Sequence, residues 1–171
     1  MKLSIITINL NDKVCLQQTS DCVAMQTFTD YEFIIIDGKS SDGSIEVINS
    51  NSHKITHALS ETDTGIYNAM NKGIQLAKGE YLYFLNAGDR IFSDNVLQRV
   101  FEEDTTASFI CGNFFTENND IVTLETPYRD RDWTFALYDI YSTYLCHQAF
   151  FIRKDNFDKY GMYSEDLRIT A

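Results

Sequence analysis

Residues 61–89 read ETDTGIYNAMNKGIQLAKGEYLYFLNAGD, and their pattern sets the fold class. Ile66, Ala69, Met70, Gly73, Ile74 and Ala77 stand at offsets of 0, 3, 4, 7, 8 and 11, the spacing of one apolar face on an α-helix. A helix is expected over residues 65–78, with Gly79 as its C-terminal stop. Tyr81 to Leu85 follows as a short apolar strand, and its exit is polar: Asn86, Ala87, Gly88 and Asp89. Helix, stop, strand and polar loop form the repeating unit of an α/β sheet, in which crossover helices join parallel strands.

The same unit recurs on the N-terminal side. Residues 3–10 are uncharged and rich in isoleucine, which suits a strand covered on both faces. Asn11 and Asp12 can cap a helix over residues 13–26, where Leu16, Thr19 and Val23 share helical spacing. Residues 31–37 carry Phe33, Ile34, Ile35 and Ile36 into Asp37, and Gly38, Ser40, Ser41, Asp42 and Gly43 then break the run. A short helix over 44–49 and a strand over 55–60 lead back to residue 61. Beyond residue 89 the alternation loosens. Ser93 is the expected N-cap of a helix over 94–101, and strands are expected at 108–114, 121–124 and 149–153. The second half therefore reads as mixed rather than purely parallel. With one proline, Pro127, and no repeat or low-complexity tract, one domain over residues 1–171 is expected.

Composition narrows the function. A chain of 171 residues, 44% hydrophobic, can bury a core without disulfides or metal staples. Its 14 basic and 25 acidic residues give a net charge of −11, which repels phosphate polymers and argues against nucleic-acid binding. A smaller anionic ligand would need a local cation. Cys15, Cys22, Cys111 and Cys146 form no C-x-x-C pair and read as small core residues. No run approaches the roughly 18 apolar residues of a membrane span, and no basic start precedes a signal-type apolar stretch. A cytoplasmic chain with reduced thiols is the expectation.

In an open α/β sheet the ligand sits outside the carboxyl ends of the strands. Three polar clusters fall there: Asn9 with Asn11, Asp37 with residues 38–42, and residues 86–89. Asp37 could accept hydrogen bonds from a base N–H or a ribose hydroxyl. Asp89 suits Mg2+ or Mn2+, which take one or two carboxylates and fill their other positions with phosphate and water.

The runs SIITINLN (4–11), EFIIIDGKSSDGS (32–44), the 61–89 run and CHQAFFIRKDNFDKYGMYSEDLRITA (146–171) resemble successive blocks of family 2 glycosyltransferases, in their bacterial polysaccharide-assembly branch. The resemblance implies the GT-A fold, a Rossmann-like nucleotide-binding mixed sheet flanked by helices. It implies a donor site of Asn9, Asp37, Asp63, Asn71, Lys72, Asn86 and Asp89. Asp37 and Asp63 would contact the nucleotide, with Asn71 and Lys72 facing the donor sugar or the sheet edge. Residues 86–89 stand where many relatives carry D-x-D or D-x-D-D, which leaves Asp89 as the metal ligand. His147 and Gln148 match a pair placed near the acceptor or the diphosphate.

The implied reaction moves a sugar from a nucleoside-diphosphate sugar, of UDP or GDP type, to a saccharide or lipid-linked acceptor with inversion, assisted by Mn2+ or Mg2+. The acceptor hydroxyl needs a carboxylate base, since it is a poor nucleophile near neutral pH. The resemblance puts that base directly after the segment DLRITA, so it is expected beyond Ala171. Glu165 and Asp166 precede its place and are expected in a turn. The chain is thus expected to stop short of its base, to bind donor and to transfer poorly, with any peripheral contact to the inner membrane face made by residues beyond Ala171. The alternative is a non-catalytic nucleotide-sugar-binding or interaction module. A dehydrogenase reading lacks the G-x-G-x-x-G cradle, and a pyrophosphorylase reading lacks glycine between residues 3 and 13.

Overall fold

The computed structural model describes residues 1–118, 121–126 and 146–167. Four parallel strands open the fold: β1 (Leu3–Asn9), β2 (Tyr31–Asp37), β3 (His57–Ser60) and β4 (Tyr81–Phe84). They are joined by α1 (Lys13–Ala24), α2 (Ser44–Ser50) and α3 (Ile66–Leu76). The short helix α4 (Val96–Val100), strand β5 (Phe109–Cys111) and a two-stranded sheet of β6 (Phe114–Asn118) and β7 (Ile121–Glu125) come next. A 3-10 turn (His147–Ala149), β8 (Phe150–Arg153) and helix α5 (Asp155–Tyr160) complete the described elements.

The main sheet has the order β3-β2-β1-β4-β8-β5. The chain winds outward from β1 through β2 to β3, then returns to β1's other side with β4. This reversal is the topological switch point, where open α/β sheets bind ligands. Strand β8 runs antiparallel to both β4 and β5, so the second half is mixed as expected.

Alternation along the isoleucine runs divides the core between two faces. Leu3, Ile5, Phe33, Ile35, Tyr81 and Tyr83 pack with Leu16, Val23, Ile48 and Leu97 from α1, α2 and α4. Ile6, Ile34, Ile36, Leu82 and Phe84 pack against Ala69, Met70 and Ile74 of α3. Helices on both faces cover β1, β2 and β4, which is why β1 and β2 read as continuous apolar runs, while the edge strand β3 stays partly exposed.

Several expected boundaries move. The helix expected over 94–101 shrinks to Val96–Val100 behind Asn95, because the Ser93 hydroxyl bonds the Asn95 side chain instead of capping. Residues 112–113 separate β5 from β6, so the strand expected over 108–114 is two strands. Gly79 is not a left-handed helix stop, since Ala77 already leaves α3 extended. A Cβ at Gly79 would lie 2.5 Å from the Ser4 backbone nitrogen, so close approach to β1 is what demands glycine. Of the four cysteines only Cys22 is buried in the core; the others are half-buried.

Candidate active site

At the carboxyl end of β1 and β2, Asn9 and Asp37 are register partners. Asp37 is 0% exposed, and both of its oxygens are engaged. Oδ1 accepts from Asn9 Nδ2 at 2.8 Å and from the Ser40 hydroxyl at 2.5 Å. Oδ2 accepts from the Ser40 N–H at 2.9 Å and from the Ser60 hydroxyl at 2.6 Å. Burial pushes the Asp37 carboxyl up, but the Ser40, Ser60 and Asn9 hydrogen bonds outweigh it and hold the group below its ordinary value. Asn11, in the left-handed region at φ 53°, donates its N–H to the Ser40 hydroxyl and accepts from the Ser41 N–H. Asp42 ties the far end of the loop to the Lys13 N–H at the start of α1. The 38–42 loop is thus organised around a buried carboxylate.

Asp63 approaches this loop from the turn after β3. One oxygen accepts from the Gly65 N–H at 3.1 Å. The other lies where a Cβ at Gly38 would be 2.6 Å away, so the absence of a side chain at Gly38 lets Asp63 close over the end of β2.

On the other side of β1, residues 86–89 form a turn with Gly88 at φ 98°. Its anchor is Thr19 of α1, fully buried, whose hydroxyl donates to the Asp89 carbonyl at 2.9 Å and accepts from the Gly88 N–H at 3.0 Å. The Ala87 N–H bonds the Ile8 carbonyl, extending the β1 pairing into the turn. The Asp89 carboxylate accepts from the Asn86 N–H at 3.2 Å and is half-buried. Burial raises its proton affinity above the ordinary carboxylate value, against the Gln148 side chain and the His147 ring, which pull it down.

The 3-10 turn before β8 brings His147 and Gln148 to the same place. His147 Nε2 is 3.1 Å from Asn86 Nδ2. The amide nitrogen can only donate, so with this amide orientation Nε2 is the acceptor and the ring proton sits on Nδ1. Burial depresses the His147 proton affinity, opposed by the Asp89 charge, which leaves the ring neutral near pH 7. The Tyr83 hydroxyl fixes this turn by donating to the Gln148 carbonyl at 3.0 Å.

A third group lies along α3. Asn71, 4% exposed, grips the backbone of Tyr163 twice: Nδ2 donates to its carbonyl at 2.9 Å and Oδ1 accepts from its N–H at 3.0 Å. Nδ2 also donates to Glu165 at 2.8 Å, and Asn68 donates to the same carboxylate at 2.9 Å. Lys72 bonds the Thr62 carbonyl and pairs with Glu61 at 3.0 Å.

Residues 4–162 match the model described as "Glycosyl transferase family 2". The chain belongs to glycosyl transferase family 2. It is 32% identical to the "PGL/p-HBAD biosynthesis glycosyltransferase" of Mycobacterium bovis, over 98% of this chain and 65% of that relative's length. Among solved structures it is similar to the mannosyltransferase PcManGT of Pyrobaculum calidifontis, in complex with GDP-Man and Mn2+ (TM-score 0.72, 14% identity, 97% of this chain and 48% of the other). It is also similar to S. aureus TarS 1-349 in complex with UDP (TM-score 0.71, 17% identity, 99% and 52%). The fold is therefore GT-A, and the chain spans about half to two thirds of the length of these proteins.

On this family 2 sheet the expected site residues divide. Asn86, Asp89, His147 and Gln148 come together, although residues 147 and 148 lie far along the chain. Asn9 and Asp63 stand at the β1 and β2 ends. Asp37 has both oxygens engaged from within by Asn9, Ser40 and Ser60, which fill its roughly four acceptor positions. Asn71 faces Tyr163 and Glu165 rather than open space, and Lys72 staples the 61–62 turn, because each finds a close intramolecular partner. Glu165 and Asp166 do sit in a turn. The segment at 168–171, which leads to the expected base, lies outside the described residues. The roles of Thr19, Ser40, Ser60 and Tyr83 emerge only from the fold, because hydroxyls that reach the site from a neighbouring strand, loop or helix carry no local signature.

Among the described residues no three His, Cys, Asp or Glu side chains gather as a metal cluster. One carboxylate suffices where phosphate and water complete the coordination. Asn86, whose N–H bonds the Asp89 carboxylate, carries a buried Oδ1 with no hydrogen-bond partner, a second hard oxygen in the same turn. The donor set fits a divalent ion of the Mg2+ or Mn2+ kind.

Proposed function

We propose that this chain carries the donor-sugar site of an inverting, metal-assisted glycosyltransferase that uses a UDP- or GDP-linked sugar. The observation that carries the reading is the grouping of Asp89, Asn86, His147 and Gln148 at the switch point of a family 2 sheet. Asp89 and Asn86 Oδ1 would hold the divalent cation, which supplies positive charge against the departing diphosphate. A net charge of −11 makes such a cation the natural partner of an anionic ligand. The neutral His147, with its proton on Nδ1, offers a hydrogen-bond donor beside the diphosphate without adding a charge. Asp63 is the carboxylate left to meet the nucleoside, with Asp37 holding the loop beneath it.

The acceptor in this reading is a saccharide or a lipid-linked saccharide at the inner face of the membrane. Among the described residues no helix is long and apolar enough to cross a membrane. The base that deprotonates the acceptor hydroxyl is left unassigned among the described residues.

Titration calorimetry with UDP- and GDP-linked sugars tests the donor site. Saturable binding with Mn2+ present, lost on chelation, is the expected result. Absence of saturable heat with every nucleotide tried would overturn it.

A further inference from the structure

Tyr83 stands on β4, 6% exposed, with its ring stacked at 4.5 Å on Phe151, its register partner on β8. Stacking accounts for the ring but not for the hydroxyl, since phenylalanine would fill the same place. That hydroxyl donates to the Gln148 carbonyl at 3.0 Å. Burial, reinforced by the Asp89 charge, pushes the phenol up and away from ionisation, so it remains a donor near neutral pH. The 3-10 turn closes on itself through the Ala149 N–H to Cys146 and the Phe150 N–H to His147. These bonds set its shape. The bond from Tyr83 sets where it stands against β4, the strand that runs into the Asp89 turn.

Two side chains leave the turn that Tyr83 holds, and each reaches one of the groups that would bind the cation. His147 takes the Asn86 amide nitrogen at 3.1 Å, which leaves Asn86 Oδ1 buried and without a partner. The Gln148 side chain hydrogen-bonds the Asp89 carboxylate. Because the Cys146 thiol donates to Gln148 Oε1 at 3.0 Å, the amide nitrogen is the end that Gln148 has for Asp89. Groups that orient metal ligands without touching the ion typically change its affinity about 10- to 100-fold. We propose that Tyr83 is a positioning residue: its hydroxyl, which meets no ligand, holds the 147–148 turn against the 86–89 turn and so sets how tightly Asp89 and Asn86 bind a divalent cation. The proposal rests on the donor-site reading above.

The test compares Tyr83→Phe, which keeps the ring and loses the hydroxyl, with Phe151→Leu, which loosens the stack and keeps the hydroxyl bond. On the full chain, electron paramagnetic resonance gives the affinity for Mn2+ alone and with UDP or GDP. NMR of the His147 ring nitrogens in the free chain and urea unfolding complete the set. Tyr83→Phe should weaken Mn2+ binding about tenfold or more and move the His147 resonances toward a mixture of tautomers. Phe151→Leu should lower the urea midpoint and leave both Mn2+ affinity and His147 as in wild type. Mn2+ affinity that follows the urea midpoint in both variants would overturn the proposal, because a merely structural role gives that result. Unchanged Mn2+ affinity or unchanged His147 resonances in Tyr83→Phe would overturn it too, and wild-type nucleotide binding would still support the donor site. A wild type that binds Mn2+ but no nucleotide sinks the donor reading alone; one that binds neither sinks both.

Discussion

Replacing Asp37 by asparagine separates a structural clamp from a ligand contact. The wild-type carboxylate accepts four hydrogen bonds in a fully buried position. The Ser40 and Ser60 hydroxyls can rotate to accept from a new amide. The Ser40 N–H cannot, and Asn9 can offer an acceptor only by turning its amide over, which puts its NH2 where its buried Oδ1 now has no partner, so a single carbonyl leaves one buried donor unpaired. A buried donor without an acceptor costs about 1–3 kcal/mol, and the remaining bonds lose their charge assistance. We expect a loss of about 2–4 kcal/mol, or a fall in Tm of about 10 °C for a chain of this size. The pH dependence has a definite sign. Because the folded-state pKa of Asp37 lies below its unfolded value, the stabilisation is complete above the unfolded value, about 3.9, and is lost as pH falls through the folded one. Urea unfolding at pH 7 and at about pH 2.5, below the unfolded carboxylate value, should show a gap between wild type and variant that narrows on acidification. Equal stabilities at pH 7 would refute the clamp, above all if Asp37→Asn also weakened UDP or GDP binding more than about tenfold, as expected of a lost charged contact.

Asp89→Asn should behave in the opposite way. Burial raises the Asp89 pKa in the fold, so above the unfolded carboxylate value its charge disfavours folding; the variant should be as stable as wild type or more so at pH 7, while Mn2+-dependent nucleotide binding falls at least about tenfold. Thr19→Val removes the hydroxyl that serves both Gly88 and Asp89, and should cost about 1–3 kcal/mol in urea unfolding and weaken nucleotide binding without any loss of a ligand-facing group. Gly79→Ala puts a methyl group 2.5 Å from the Ser4 nitrogen and disturbs the bond from Gly79 to the Ser4 hydroxyl beside buried Glu32; a destabilisation of about 1–3 kcal/mol or more should appear as a lower urea midpoint.

Much of the sheet is legible in the sequence because burial on both faces imposes a simple code. The run from Phe33 to Ile36 gives β2 nearly residue by residue, and the spacing from Ile66 to Ala77 gives the buried face of α3. The strand order beyond β4 is not legible, since no periodicity encodes that β8 inserts antiparallel between β4 and β5. The site is legible as a set of positions at strand ends rather than as roles. A strand-end aspartate looks the same whether it meets a ligand or a loop, and the hydroxyls that claim Asp37 come from Ser40 on the loop after β2 and from Ser60 at the end of β3. Asn71 likewise looks like a helix-surface amide until Tyr163, 92 positions away, is seen to occupy it. Gly79 suggests torsional freedom from its place after a helix, whereas the fold needs its missing side chain.

The most direct test of the central claim is paramagnetic broadening of the chain's amide resonances by substoichiometric Mn2+ in the presence of UDP or GDP. Residues 86–89 and 147–148 should broaden first and together, with nucleotide required, and Asp89→Asn should abolish the effect. Broadening centred on Glu165 and Asp166, or broadening at residues 86–89 that persists in Asp89→Asn, would contradict a cation held at the Asp89 turn.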